Sequence, residues 1–336
     1  MLLELSKRAL FSQALDFSGC GRALRASGIW RGVLVLNYHR IGDPCRSMLD
    51  RNLWSATAED FDYQVELAAK NFDVIGLHEF EQALGERRGR YVMFTFDDGY
   101  RDNYTHAYPI LRSHGVPSTF FLTTSFLDAP QVPWWDEIAW MVRTSPLSAL
   151  DVNRWTSTPV PFDEPDREGA IRRLLNIYKE LPGEVTVLFM EFLSESLRSG
   201  RCPHAVADEL WMTWDMVREM HRDGMTFGGH STTHPILANL SSEQQDWEIS
   251  ECQRRLTEEL GEPAIAFSYP VGGRSSFNTF TRTSLATHGF RLGFTYFGTY
   301  CRPGHQDLHA INRTAIETDV DQPQFRAVVT LPQFFA

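Results

Sequence analysis

Nowhere in these 336 residues does an apolar run approach the ~18 to 20 residues that a helix needs to cross a bilayer. The N-terminus, Met1 through Arg8, interrupts its leucines with Glu4, Lys7 and Arg8, and no small-residue cleavage site follows an apolar core. No signal peptide is read. Cysteine is scarce: Cys20, Cys45, Cys202, Cys252 and Cys301 are odd in number, scattered and without CxxC spacing, which argues against a thiolate metal site and a disulfide framework. Free thiols and the absent signal together predict a cytoplasmic protein. A polybasic stripe is missing as well. The net charge is -11 and spread along the chain, so nothing favours nucleic acid, and a strongly acidic polymer is repelled at long range. A neutral or zwitterionic substrate fits better.

What is present is a rhythm of short β-rich runs that end in polar residues, each followed by a helical pattern. Strands are predicted at Val33 to Asn37, Asp73 to Leu77, Val92 to Asp97, Ser118 to Thr123, Met225 to Gly229, Ala264 to Tyr269 and Leu292 to Phe297. Seven such βα units suit one α/β barrel better than two small domains. Ser241-Ser-Glu-Gln244 is a capping box that opens a helix running to Gly261, and another helix runs from Thr213 to Gly224. Residues 128–212, after the fourth strand, break the rhythm with three predicted helices, Trp135 to Arg143, Arg167 to Leu181 and Glu184 to Arg198. Loops after the strands carry the site in βα barrels, so this insertion is expected to wall a substrate cleft. Residues 1–30 form an N-terminal helical segment in which Leu2, Leu3, Leu5, Ala9, Leu10 and Ala14 share a face. Packing on its own domain is favoured over peripheral membrane contact, for which two Lys/Arg are few. Residues 321–336 are a C-terminal segment.

Four constellations carry chemistry. Thr95-Phe-Asp-Asp-Gly-Tyr100 ends an apolar strand in two adjacent carboxylates. Neighbouring side chains on a strand point to opposite faces, so the pair must diverge or the strand must break, which allows two roles. Alone, Asp-Asp-Gly is more often a helix cap or an Asx-turn. Gly228-Gly-His-Ser-Thr-Thr-His234-Pro sets two imidazoles four residues apart at another strand end, within reach of one ion if the segment turns helically. With a strand-end Asp they make a candidate two-His-one-carboxylate site. Ala266-Phe-Ser-Tyr-Pro-Val-Gly-Gly273 runs a strand into a turn whose N–H groups are free to face a ligand, and Leu34-Val-Leu-Asn-Tyr-His-Arg40 ends a buried-type strand in His39. By themselves these are a turn and a structural histidine. Their predicted place on one barrel rim makes them site candidates.

Thr95 to Gly99, His230 to His234 and Phe267-Ser-Tyr-Pro270 resemble, in that order, three motifs of the NodB-homology polysaccharide deacetylases. The resemblance spans about residues 31 to 315. It implies a distorted (β/α) barrel over residues 31–320 and a hydrolase that removes N-acetyl groups from an amino-sugar oligosaccharide, polysaccharide or lipid-linked glycan. It also implies Asp98, His230 and His234 as ligands of a divalent ion, Zn2+ first among them, with Asp97 as the catalytic base. Most members carry their catalytic histidine near the C-terminus, and nothing of that kind follows residue 300. The segment from His39 through a helix at Phe61 to Phe72-Asp-Val-Ile-Gly-Leu-His-Glu79 looks like that end moved to the front, as in the poly-N-acetylglucosamine deacetylase subgroup. A closed barrel permits the permutation because its first and last strands are neighbours. His39 is then the general acid.

Ser268 stands where the family's third motif has an arginine, and Arg313, in Ala310-Ile-Asn-Arg-Thr at the end of a short late strand, is expected to supply that cation. Val271 replaces a frequent aromatic residue, while its backbone N–H keeps the oxyanion role. Tyr269, Pro270 and Val271 are expected along the substrate. Tyr100, Trp135 and Asp136, with Trp134, are expected to bind sugar through stacking and hydroxyl contacts, the alternative being that the tryptophans are simply buried by their helix. Two rivals stay open: a glycan-binding module on a degenerate barrel, and a deformylase or other amidase on a lipid-linked sugar. An iron oxygenase has little support, since its ligands sit on an antiparallel double sheet.

Overall fold

A computed structural model describes residues 7–335 apart from 151, 153, 157–159, 162–166 and 305. The barrel strands are β1 (Gly32–Tyr38), β2 (Asp73–Val74), β3 (Arg90–Phe96), β4 (Ser118–Leu122), β5 (Thr226–Gly229), β6 (Ala266–Ser268), β7 (Leu292–Phe294) and β8 (Thr314–Ala315). They pair in parallel in the order β7-β6-β5-β4-β3-β1-β8, with β2 beside the first half of β3. Leu36 pairs with Thr314, and Phe294 bridges to Ile311. Residues 311–315 thus touch both edges of the sheet and complete a distorted (β/α) barrel.

All seven predicted strands form, and several are shorter than expected. Strand β2 stops at Val74 because the chain turns at Gly76 into a 3-10 turn over Leu77–Glu79. The late strand expected around residues 310 to 314 forms at Thr314–Ala315. Every residue of β1 is buried, as a parallel strand covered on both faces requires. Its side chains alternate between two clusters. Val33, Val35, Met93 and Phe121 fill one, whereas Leu34, Leu36, Phe94 and Phe120 join the other with the surrounding helices.

The helices used below are α1 (Lys7–Phe17), α2 (Cys20–Ser27), α3 (Ala58–Asn71), α4 (Trp134–Thr144), α5 (Arg167–Glu180), α6 (Thr186–Ser196), α7 (Trp214–Arg222), α8 (Ser242–Leu260) and α9 (Gln322–Thr330). The capping box of α8 is formed: Gln244 N–H donates to Ser241 Oγ, Ser241 N–H donates to Gln244 Oε1, and Gly261 ends the helix at φ 80°. Helices α4, α5 and α6 share an apolar cluster through Ile138, Leu174, Phe189 and Leu193, which also takes in Tyr100 and Trp211. The insertion is therefore anchored to the residue that follows Gly99.

At the N-terminus α1 packs against α9, with Arg326 donating to both oxygens of Asp16 at 2.6 Å, while Arg25 of α2 donates to Thr330. Leu10, Phe11 and Phe17 remain exposed on α1, and Leu2, Leu3 and Leu5 lie outside the described residues. Among the described residues no helix is long and apolar enough to cross a membrane. All five cysteines are free.

Candidate metal centre

Strand β3 ends at Phe96, and Asp97 N–H still donates to Tyr38 O at 3.0 Å as though the ladder continued. The next residue breaks it. Asp98 has φ 75° and Gly99 φ 91°, so the two carboxylates leave the strand in different directions. The histidine segment follows β5 and does not turn helically as the four-residue spacing suggested. Ser231 at φ 62° and His234 at φ 60° make it an irregular bend. Local bonds replace the helical ones: His234 N–H donates to Ser231 Oγ at 3.0 Å, and the N–H groups of Thr232 and Thr233 each donate to Glu248 of α8 at 2.8 Å. Asp98, Ser231, His234 and Val271 are four of the five non-glycine residues with positive φ among the described residues, and each left-handed residue costs about 1 to 2 kcal/mol. Strain is concentrated in one place.

The bend brings His230 and His234 to Asp98. Each Nε2 lies 3.3 Å from Asp98 Oδ1, yet this buried oxygen accepts no hydrogen bond. His230 Nδ1 pairs with the carbonyl of Ser268 at 2.7 Å, which makes Nδ1 the protonated nitrogen and leaves the Nε2 lone pair facing Asp98. Burial would raise the Asp98 carboxyl, but the two imidazoles, when charged, hold it far below the usual carboxylate range, so it is anionic. For His234 burial wins and lowers the imidazole, favouring its neutral form. Ligand atoms of the three residues lie within 4.8 Å of one another. An anionic oxygen and imidazole nitrogens that converge without satisfying one another are a donor set that fits a divalent cation.

Asp97 meets a different partner. Arg313, one residue before β8, donates through Nη1 to Asp97 Oδ1 at 2.8 Å and through Nη2 to Oδ2 at 2.7 Å. The same guanidinium donates to Asn37 Oδ1, Ser268 Oγ and Thr295 O, which fixes its plane. Burial alone would raise Asp97. The Arg313 charge beside it, with His230, holds it below the usual carboxylate range.

These groups open on a cavity of about 510 Å³ that His39, Tyr269, Val271 and Trp135 also line. The His39 ring lies 5.6 Å from that of Tyr296, while the His39 backbone N–H donates to Ser55 Oγ and its backbone carbonyl accepts from Asn103. Val271, at φ 63°, turns a backbone N–H that has no partner among the described residues. Trp134, at the cavity wall, stacks on Tyr178 with centroids 4.1 Å apart and planes 9° from parallel.

Three expected substrate contacts lie elsewhere. Tyr100 and Asp136 are fully buried behind the wall: Trp135 Nε1 donates to Tyr100 Oη, Tyr100 donates to Asp136 Oδ2 at 2.7 Å, and Asp50 N–H donates to Oδ1. The aromatic insertion cluster covers them, so they hold Trp135, whose ring lies 4.4 Å from that of His234. Pro270 is buried too, and it is its neighbours Tyr269 and Val271 that face the cavity. Sequence reasoning missed Glu248, which spans the histidine bend. The available signal was an acid on the buried face of α8, beside Ile249 and one turn before Cys252.

A parallel barrel with an Asp-His-His group at the carboxyl ends of its strands is the class these features define. A sequence profile of the polysaccharide deacetylases matches residues 85–146 and 162–293, and the chain belongs to that family. The protein YxkH of Bacillus subtilis (strain 168) is 20% identical over 242 residues, 71% of this chain and 56% of that protein. The poly-beta-1,6-N-acetyl-D-glucosamine N-deacetylase of Staphylococcus epidermidis is 30% identical over 107 residues, 28% of this chain and 37% of that protein. The chain thus spans only part of the curated relatives it matches. Among solved structures, the Streptococcus pyogenes deacetylase PplD in complex with acetate superposes with a TM-score of 0.58 at 18% identity, over 89% of this chain and 98% of that one. IcaB from Ammonifex degensii gives 0.57 at 20% identity, over 90% and 98%. Both share the fold.

Proposed function

We propose that this protein is a metal-dependent hydrolase that removes N-acetyl groups from an amino-sugar glycan, with residues 31–320 as the catalytic unit. The observation that carries the reading is the separation of roles between adjacent carboxylates. Asp98 converges on two imidazoles, and Asp97, one residue away, is clamped by Arg313 at the same cavity.

Asp98, His230 and His234 would hold the ion, and one carboxylate with two imidazoles suits Zn2+. When bound, the ion would supply Lewis acidity to the acyl oxygen and acidify a water. Asp97 is held anionic by Arg313 and takes the proton of the attacking water. The Val271 N–H, which has no partner among the described residues, donates to the oxygen of the acetamide as negative charge develops on it. His39, on the same cavity, gives a proton to the departing nitrogen, and acetate and a free amino sugar result. Tyr269 and the Trp134 ring bound the space where a sugar ring packs. The name of the Staphylococcus epidermidis relative supports a β-linked N-acetylglucosamine polymer as the substrate class.

The test is release of amine and acetate from N-acetylglucosamine oligomers by zinc-loaded protein. Asp97→Asn is expected to retain the metal and lose turnover, whereas His230→Ala loses both. A fully active Asp97→Asn enzyme would refute the assignment of the base.

A further inference from the structure

Strand β1 loses its neighbours just before it reaches His39. Asn37 O still accepts from the Ile316 N–H at 2.9 Å and Tyr38 O from the Asp97 N–H at 3.0 Å, but among the described residues neither backbone group of His39 bonds to another backbone. Side chains take both of them instead. Ser55 Oγ, on the short strand Trp54–Ala56 that pairs with Arg40–Ile41, accepts from the His39 N–H at 2.9 Å, and Asn103 Nδ2 donates to the His39 carbonyl at 2.6 Å. Ser55 and Asn103 are both buried.

The next two residues are tied to the same place. Asp102 accepts from Arg40 Nε at 2.7 Å with one oxygen and from the Ile41 N–H at 3.0 Å with the other, while the Arg40 guanidinium lies 3.8 Å from the Trp54 ring centroid and 4.4 Å from that of Tyr100. Asp102 and Asn103 follow Asp98 by four and five residues, so the segment that carries the two site carboxylates is stapled directly to the segment that carries His39. Asn103 also opens a π turn, Asn103–Ala107, an irregularity frequent at functional sites. The His39 imidazole itself has no hydrogen bond among the described residues; it faces the cavity beside the Tyr296 ring. Its position is therefore inherited from the backbone beneath it and from that ring. A general acid works only within hydrogen-bond reach of the departing atom, and a misplacement of ~1 Å costs about 10²-fold.

We propose that Asn103 and Ser55 are positioning residues for the proton donor: by clamping the two backbone groups of His39 they fix the imidazole relative to Asp97 and Asp98, with Asp102 holding the chain just beyond. The inference deepens the deacetylase reading and rests on it for the role of His39. Neither side chain touches substrate, and each acts through the histidine.

The experiment compares zinc-loaded wild type, Asn103→Ala, Ser55→Ala and His39→Ala on N-acetylglucosamine oligomers and on 4-nitrophenyl acetate. The amide needs an acid because an amine does not leave as its anion, whereas nitrophenolate leaves without a proton. His39→Ala sets the reference, losing the amide far more than the ester. Asn103→Ala is expected to lower kcat on the amide by about 10- to 10²-fold, with KM and zinc content within about twofold of wild type and ester hydrolysis reduced by no more than about threefold. Ser55→Ala, which removes a single hydroxyl, follows the same pattern with a smaller loss. A merely structural role would lower both substrates together or release zinc. Amide turnover near wild type in both variants, or an equal loss on amide and ester, overturns the positioning role and leaves the deacetylase reading standing. If His39→Ala hydrolyses the amide as fast as wild type, the assignment of the acid falls and this inference with it. Absence of amine release by wild type from every oligomer overturns the deacetylase reading itself, and the positioning role with it.

Discussion

Arg313 and Asp97 lie 216 residues apart in the chain and meet in a two-point ion pair, fully buried, with both nitrogen-oxygen distances below 3 Å. Ser268 lies between them, accepting from Arg313 at 2.8 Å and reaching Asp97 at 3.3 Å. A small hydroxyl at that position leaves space for a guanidinium arriving from the far end of the chain.

Replacing Arg313 with Gln is expected to lower turnover by about 10²-fold through loss of the carboxylate's orientation. Asp97 sits below its ordinary range because of this cation, so removing it raises the carboxyl, and the acidic limb of the kcat/KM profile moves to higher pH. Leaving Asp97 buried and unpaired also costs about 3 to 5 kcal/mol of stability. Arg313→Lys, which keeps the charge and loses the two-point geometry, separates the effects: the acidic limb stays near its original position while turnover still falls.

Glu248 accepts from two backbone N–H groups and the Thr233 hydroxyl inside the histidine bend. Glu248→Ala leaves the buried Thr232 N–H and the part-buried Thr233 donors without this partner. Metal affinity is expected to drop by about 10- to 100-fold, measured by competition with a chromogenic chelator. Unchanged affinity would show that the bend holds its shape without the helix.

Asp136 gives a pH signature of stability. Burial pushes its carboxyl up to about 7, against Arg40 and the Tyr100 hydrogen bond, which pull it down. The unfolded chain releases this proton near pH ~3.9, so between about pH 4 and 7 the folded state binds more protons and stability falls as pH rises, by up to ~4 kcal/mol. Asp136→Asn is expected to flatten this slope in urea titrations run at several pH values.

Val271 holds a left-handed backbone with a β-branched side chain, and the chemistry assigned to it uses only the N–H. Val271→Gly is expected to keep turnover within about threefold and to relieve about 1 kcal/mol of strain. A collapse in activity would transfer the role from backbone to side chain.

Much of the site was legible because strand ends are local features. Apolar runs stopping at Asp97, His230 and His39 place those residues on one rim once the runs are read as parallel strands. The capping box at Ser241 and the stop at Gly261 are likewise written in neighbouring residues. The histidine bend was not legible, because Glu248, which shapes it, comes from a helix and no local pattern announces that contact. Tyr100 and Asp136 were placed on the substrate since hydroxyl and carboxylate groups suit sugars, and the insertion instead packs over them.

By itself the sequence determined the βα rhythm, the identity of the convergent donors and the family, since periodicity, caps and motifs depend on residues within a few positions of one another. Only the tertiary structure decided which partner each carboxylate has and which aromatic groups face the cavity. Those depend on closing the barrel and docking the insertion, where residues distant in sequence become neighbours through burial of apolar surface that carries no address for any single pair.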